Sequence, residues 1–135
     1  MKVAGRCHCG QIAFEAEIDA GRVRVCHCTD CQMLSGSAFR ANVPVLPRSF
    51  VLKSGTPKIY VKTADSGNKI EHAFCPECGT PINAAAPEPN PSTYGLRVGG
   101  IDQRAQLARP ARQIWCRSAL PWSMHLTGVE RFERQ

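Results

Sequence analysis

Apolar and polar positions alternate over short stretches of this chain, and turn residues cut the stretches apart. Residues 11–18 set Ile12, Phe14, Ala16 and Ile18 on one parity and Gln11, Glu15 and Glu17 on the other, which predicts a half-buried strand. Residues 23–26 make a second β-branched run, and 38–43 and 49–53 read as strands separated by Pro44 and Pro47. Lys58–Thr63 and Lys69–Phe74 flank Asp65-Ser66-Gly67-Asn68, so a hairpin is predicted, with Ile70, His72 and Phe74 on one face of its second arm. The proline-rich run Pro87-Glu88-Pro89-Asn90-Pro91 lacks the N–H groups of a ladder and reads as a loop. Residues 94–99 and 112–118 are the last strand candidates. Helical signals are brief: Thr29 with Gln32 makes a capping-box pattern, and Gly36 ends a helix of about one to two turns. Regular short strands without a sustained 3.6-residue period predict an all-β fold with short antiparallel sheets and at most one or two short helices.

Length places all of this in a single domain over residues 1–135, large enough to bury roughly two thirds of its unfolded surface. Hydrophobic residues make up 43%, which excludes a disordered chain. No apolar run nears the ~20 residues of a bilayer span, and residues 1–10 carry no signal-peptide core, so neither a membrane protein nor an exported one is expected. The net charge of +6 points to an anionic partner. Its carriers, such as Lys53, Lys58, Lys62, Lys69 and Arg104, are scattered singly, which disfavours nucleic acid against a small anionic molecule.

Cysteine changes the picture most. Eight occur, as Cys7-His8-Cys9, Cys26-His27-Cys28-Thr29-Asp30-Cys31, Cys75-Pro76-Glu77-Cys78 and Cys116 alone. Neighbours so close strain a disulfide, whereas tight clusters suit a metal, which implies a reducing compartment, the cytoplasm. Cys75-Pro76-Glu77-Cys78-Gly79 has the form of a zinc knuckle, and Cys7 and Cys9 on an extended segment would point the same way. Together Cys7, Cys9, Cys75 and Cys78 predict a closed structural zinc. Cys26, Cys28 and Cys31 remain as a three-sulfur group, the count of a reactive zinc with an open place. Three thiolates make a weak Lewis acid, so a soft substrate thiol suits that place better than water, and a metal-held thiolate attacks electrophiles such as aldehydes. Thiolate-bound zinc carries net negative charge, which brings the chain to about +3 when both sites are loaded.

Other readings stay open at this point. His27, His72 or His125 as a fourth ligand would close the second site, and Cys7 and Cys9 would pair equally well by spacing with Cys26 and Cys28. His8 and His27 otherwise read as surface residues or neighbours of ligands, and His72 as a core histidine. Cys116 reads as a buried small hydrophobe, and Trp115 and Trp122 as core or pocket wall. Arg40, Arg97 and Arg117 are candidates to meet a substrate carboxylate. The site could serve an enzyme, a non-catalytic thiol or zinc carrier, or a zinc-stapled interaction module.

Three stretches resemble a known family. Gly5-Arg6-Cys7-His8-Cys9-Gly10-Gln11-Ile12-Ala13-Phe14, Cys26-His27-Cys28-Thr29-Asp30-Cys31 running to Ser35-Gly36-Ser37-Ala38-Phe39, and Phe74-Cys75-Pro76-Glu77-Cys78-Gly79-Thr80-Pro81 are similar to the glutathione-dependent formaldehyde-activating enzymes, a domain shared with centromere protein V. Val98-Gly99-Gly100-Ile101-Asp102, Gln113-Ile114-Trp115 and Pro121-Trp122 extend the resemblance over nearly the whole chain. It implies a β-tent fold and two zincs, a structural one on Cys7, Cys9, Cys75 and Cys78 and a catalytic-type one on Cys26, Cys28 and Cys31. It further implies a carbon–sulfur lyase type of activity, in which glutathione and formaldehyde give S-hydroxymethylglutathione. The implied partners are thus a small thiol and a small aldehyde, with a homo-oligomer left open.

Overall fold

Ten short strands and one short helix account for the alternating pattern. The computed structural model describes residues 1–88, 91 and 94–134. The strands are β1 (Lys2–Arg6), β2 (Ala13–Glu17), β3 (Arg24–Cys26), β4 (Arg40–Pro44), β5 (Val51–Ser54), β6 (Lys58–Thr63), β7 (Lys69–Phe74), β8 (Pro81–Ala85), β9 (Gly95–Arg97) and β10 (Arg112–Ile114). The helix α1 covers Thr29–Ser35 between β3 and β4. A three-stranded sheet runs β1-β2-β5, and a seven-stranded sheet runs β10-β3-β4-β9-β8-β7-β6. All pairings are antiparallel except that of β10 with β3. The fold is all-β, as the alternation predicts, and no helix among the described residues is long and apolar enough to cross a membrane.

Strand parity sorts side chains between core and cleft. Val3, Phe14, Ala16 and Ile18 of the small sheet meet Val43, Ala73, Ile82 and Leu96 of the large one in a single buried cluster. Each Val, Ile, Leu or Phe among them contributes about 1.5–3 kcal/mol by leaving water. The opposite parity of the large sheet carries Cys26, Arg40, Asn42, Arg97 and His72, with Cys26 directly across from Arg40 and Asn42 across from both Arg24 and Arg97. Paired residues share a face, so these polar groups of β3, β4, β9 and β7 line one face, with Ala84 of β8 between the last two.

Several local expectations shift. Strands β1 and β8 escape the sequence pattern because Gly5, Pro81, Ala84 and Ala85 are poor strand formers; β8 forms because β7 and β9 pair with it on both sides. Pro81 holds the first place of its strand, where no ladder N–H is needed. Residues 94–99 keep only β9 as strand before a 3-10 turn, and 112–118 break after Ile114, where Trp115 takes a left-handed conformation (φ 58°). The hairpin of β6 and β7 forms with the predicted bounds. Helix α1 is capped by the Cys28 sulfur rather than by Thr29, and Gly36 closes it at φ 61°. Of the predicted loop at 87–91, residues 89 and 90 lie outside the described residues.

Gly5 shows how closely β1 is packed under the Phe14 ring and against the 3-10 turn that follows β9. It pairs with Phe14 on β2 and bridges Ile101, and a Cβ there would overlap the Phe14 ring and the Gly100 carbonyl oxygen. Gly5→Ala is expected to lower stability by about 1–3 kcal/mol, read from the urea unfolding midpoint.

Candidate metal centres and the basic cleft

Two tight turns bring four sulfurs together. Residues 7–10 do not run extended as the spacing suggested; Gly10 N–H closes a turn onto the Cys7 carbonyl at 3.1 Å, with Gly10 at φ 82°. The knuckle after β7 closes likewise, Gly79 N–H to the Cys75 carbonyl at 2.9 Å, with Gly79 at φ 72°. A side chain at either glycine would be strained in that left-handed backbone. The turns are tied by the His8 N–H donating to the Thr80 hydroxyl at 3.0 Å. Cys7 Sγ lies 3.4 Å from Cys9 Sγ, and Cys9 Sγ lies 3.7 Å from Cys75 Sγ. All four sulfurs of Cys7, Cys9, Cys75 and Cys78 fall within 4.8 Å of one another.

Those separations are too long for a disulfide, and every cysteine is free. They match a tetrahedral metal, whose sulfurs at ~2.3 Å from the ion sit about 3.8 Å apart. The thiols also oppose one another's ionisation. The Thr80 hydroxyl and backbone N–H draw Cys78 down to about 5. Cys9 is pushed up to about 12 by the Cys7, Cys78 and Cys75 sulfurs, although the Gln11 N–H acts more strongly than any one of them in the other direction. Packed thiolates repel one another, a conflict that a cation held among them would remove.

The second cluster sits where β3 runs into α1. Cys26 ends the strand, Cys28 caps the helix and Cys31 lies in its first turn, with Cys31 N–H donating to Cys28 Sγ at 3.4 Å. Positions 28 and 31, three apart on the first turn, face the same side. Their three sulfurs fall within 4.8 Å of one another, and among the described residues no histidine or carboxylate joins them. Burial first, and then the Cys26 and Cys28 sulfurs, push the Cys31 thiol up to about 12.

His27, expected at the surface or beside the ligands, is instead fully buried. Its Nε2 lies 3.1 Å from Gln113 Oε1 and its ring sits edge-on to Phe39, so the imidazole anchors α1 to β10. Gln32 strengthens that anchor by donating to the carbonyls of His27 (2.7 Å) and Ser118 (2.9 Å). His8 is exposed and outside both clusters. Cys116 is exposed rather than buried, because the 3-10 turn after the left-handed Trp115 carries it outward.

The triplet opens onto a cleft of about 1320 Å³ along the polar face of the large sheet. Its walls include Arg24, Arg40, Asn42, Lys62, His72 and Arg97. Trp115 lines the mouth with the Arg117 guanidinium 4.9 Å above its ring, whereas Trp122 is 58% exposed on a separate shallow depression. Lys62 pairs with Asp30 of α1. His72, which the sequence placed in the core, belongs to this wall: its Nδ1 lies 3.3 Å from Arg40 Nη1 and 3.0 Å from Arg97 Nη2. Burial, then the Arg97 and Arg40 charges, press its pKa down to about 4. Burial likewise lowers Arg97 to about 9, with Arg40 adding to the effect. Arg40, Arg97 and Arg117, which the sequence singled out as candidates to meet a substrate carboxylate, all line this cleft; Asn42 and Lys62 were not singled out, because a lone polar residue on a strand carries no signal of its own.

Residues 2–118 match the family described as glutathione-dependent formaldehyde-activating enzyme. A crystal structure of a Rhodobacter sphaeroides protein, solved as a structural-genomics target, is similar in fold. Its TM-score is 0.61 at 21% identity, over 84% of this chain and 99% of that chain.

The depressed pKa of His72 predicts an acid response. The unfolded imidazole titrates near 6.5 and the native one near 4, so between those values the unfolded chain binds a proton that the native one refuses. Stability is therefore complete above about 6.5 and falls as pH drops toward 4. Urea midpoints at about pH 7 and about pH 5 should differ more in wild type than in His72→Gln. Acid release of thiolate-bound metal is common to both proteins and cancels in the comparison.

Proposed function

This chain belongs to the glutathione-dependent formaldehyde-activating enzyme family, and from that premise we propose that it joins a small thiol such as glutathione to a small aldehyde such as formaldehyde. The reading also takes residues 1–135 as one domain and the cytoplasm as its compartment, where reducing conditions keep eight cysteines free. Seven cysteine sulfurs with no other donor among the described residues suit a soft ion, and we take it as zinc, which closed four-sulfur and open three-sulfur sites both accommodate. Cys7, Cys9, Cys75 and Cys78 would hold a closed structural ion, and Cys26, Cys28 and Cys31 a second with a place to spare. When bound there, zinc supplies a coordination place that favours a soft sulfur in its deprotonated form.

The chain's own residues supply the rest. The basic wall draws in an anionic thiol, and the cleft holds it with its sulfur toward the triplet. The aldehyde carbon then forms a bond to that sulfur. The carbonyl π pair moves to oxygen, the thiol's proton ends on the same oxygen, and an S-hydroxymethyl thiol is the product, a carbon–sulfur lyase reaction run in the direction of addition. Holding the two reactants together accounts for the acceleration, since thiol addition to an aldehyde needs orientation more than activation. The observation that carries this reading is a three-sulfur cluster, without a fourth protein ligand among the described residues, opening onto a basic cleft.

Turnover separates an enzyme from a thiol carrier. Exchange between free and adduct formaldehyde, followed by NMR with protein far below substrate, should exceed the uncatalysed rate in proportion to protein. A rate equal to background overturns the reading. Native mass spectrometry should find two zincs in wild type and one in Cys31→Ala, which stays folded and loses the rate gain. Cys75→Ala should lose its cooperative unfolding transition, because a structural zinc provides folding free energy directly.

A further inference from the structure

We propose that the free edge of β6 joins two copies of this chain, each strand pairing antiparallel with its counterpart about a twofold axis at Val61. This edge is unlike the others. β1 is covered on its outer side, where Asp102 N–H donates to the Ala4 carbonyl at 2.9 Å and Ala4 N–H donates to Gln103 Oε1 at 3.0 Å. β10 has three residues, and β5 has four with a register shift where it meets β2. β6 runs six residues against β7 without a shift. Its Ile59, Tyr60 and Val61 are 47%, 51% and 46% exposed, so both faces of the strand meet water at three consecutive apolar positions. A long, uncovered, apolar edge is a template for another strand.

The hairpin fixes which backbone groups face outward. Ala64 N–H donates to the Asn68 carbonyl at 2.8 Å, and bonded pairs alternate along an antiparallel ladder, so Lys62, Tyr60 and Lys58 bond to β7. Ile59, Val61 and Thr63 turn their N–H and C=O groups away from it, and among the described residues nothing bonds to them. A twofold pairing of these three leaves little choice of register. With Val61 facing the partner's Val61, Ile59 faces the partner's Thr63 and every outward group is met, about six ladder bonds in all. Moving the axis to Tyr60 sets Lys58 against the partner's Lys62, and moving it to Lys62 sets that lysine against the partner's Lys62. Either move also leaves one outward residue of each copy facing a residue beyond the strand. Charge and bond count thus select the same register, and the strand is complementary to itself, as a twofold contact requires.

The register also sorts the side chains. Tyr60 shares a face with His72, the cleft side, and there it would lie across from the partner's Lys62. Lys62 lines the cleft and pairs with Asp30 beside the triplet, so each copy lends a tyrosine to the mouth of the other's cleft. On the opposite face Ile59 and Val61 of the two copies would shield one another from water.

The test is the mass in solution of the zinc-loaded protein, kept with a thiol-free reductant so that no disulfide through the exposed Cys116 contributes. Sedimentation velocity from about 1 to about 300 µM should show monomer giving way to dimer. Val61→Pro loses an N–H that β7 does not use, so each subunit keeps its ladder, while the two bonds on the axis vanish and the dimer weakens about thirtyfold. Val61→Lys sets two like charges on the axis and should also give a monomer. Amide exchange by NMR reads the register: Tyr60 and Lys62 should be protected at every concentration, and Ile59, Val61 and Thr63 only where dimer is present. A wild type that stays monomeric throughout overturns the proposal. So does a dimer that survives both substitutions, or one that leaves those three amides unprotected. Should Val61→Pro fail to fold, Val61→Lys and the exchange pattern of wild type decide.

Discussion

The meeting of two turns at the seam between the sheets organises this protein. Cys7 follows the first strand of the small sheet and Cys75 follows β7 of the large one, and both are among its most buried residues. Joining positions so far apart closes a long loop, which an unlinked chain resists on entropic grounds. The hydrophobic cluster between the sheets contains the same two cysteines, so the four-sulfur group and the apolar core hold one another in register. Small sheets of three- to six-residue strands gain little from length, and a metal held by the four sulfurs at the seam would offset that weakness.

Once the seam holds one face of the large sheet against the core, the other face is free to carry chemistry. Parity along each strand makes the division. Val25, Val43 and Leu96 turn inward, while Cys26, Asn42 and Arg97 turn to the cleft. A one-residue slip of β4 would exchange Arg40 and Asn42 with Ala41 and Val43 and destroy core and cleft together. This coupling keeps the positions of reactive sulfur and buried arginine strict: the register that fills the core is the register that builds the wall. Helix α1 and the turn after Trp115 add little to the core; they shape the cleft's mouth, held by His27 and Gln32.

Some expectations failed for one shared reason. Cys7 and Cys9 converge through a turn, Cys28 caps a helix in place of Thr29, His27 is buried and Cys116 is outside. Each reading assumed that local spacing decides where a side chain goes. For two of them a partner far along the chain decided it, Thr80 for the Cys7–Gly10 turn and Gln113 for His27; for the others a local backbone feature did, the Cys31 N–H taken by the Cys28 sulfur and the left-handed break at Trp115 before Cys116. The strands β1 and β8 were missed similarly, because their residues are weak strand formers that pair only when neighbours are already in place.

The amino-acid sequence by itself determined the all-β character and the hairpin of β6 and β7, and it marked seven cysteines as metal-ligand types whose grouping into four and three the structure then chose over the other pairing. These rest on alternation, turn residues and ligand spacing, which are properties of short segments. Only the tertiary structure decided that Arg40, Arg97 and His72 meet, although positions 40, 72 and 97 lie on three different strands. Strand order and register bring them together, and both are set by long-range pairing and the burial of the opposite face.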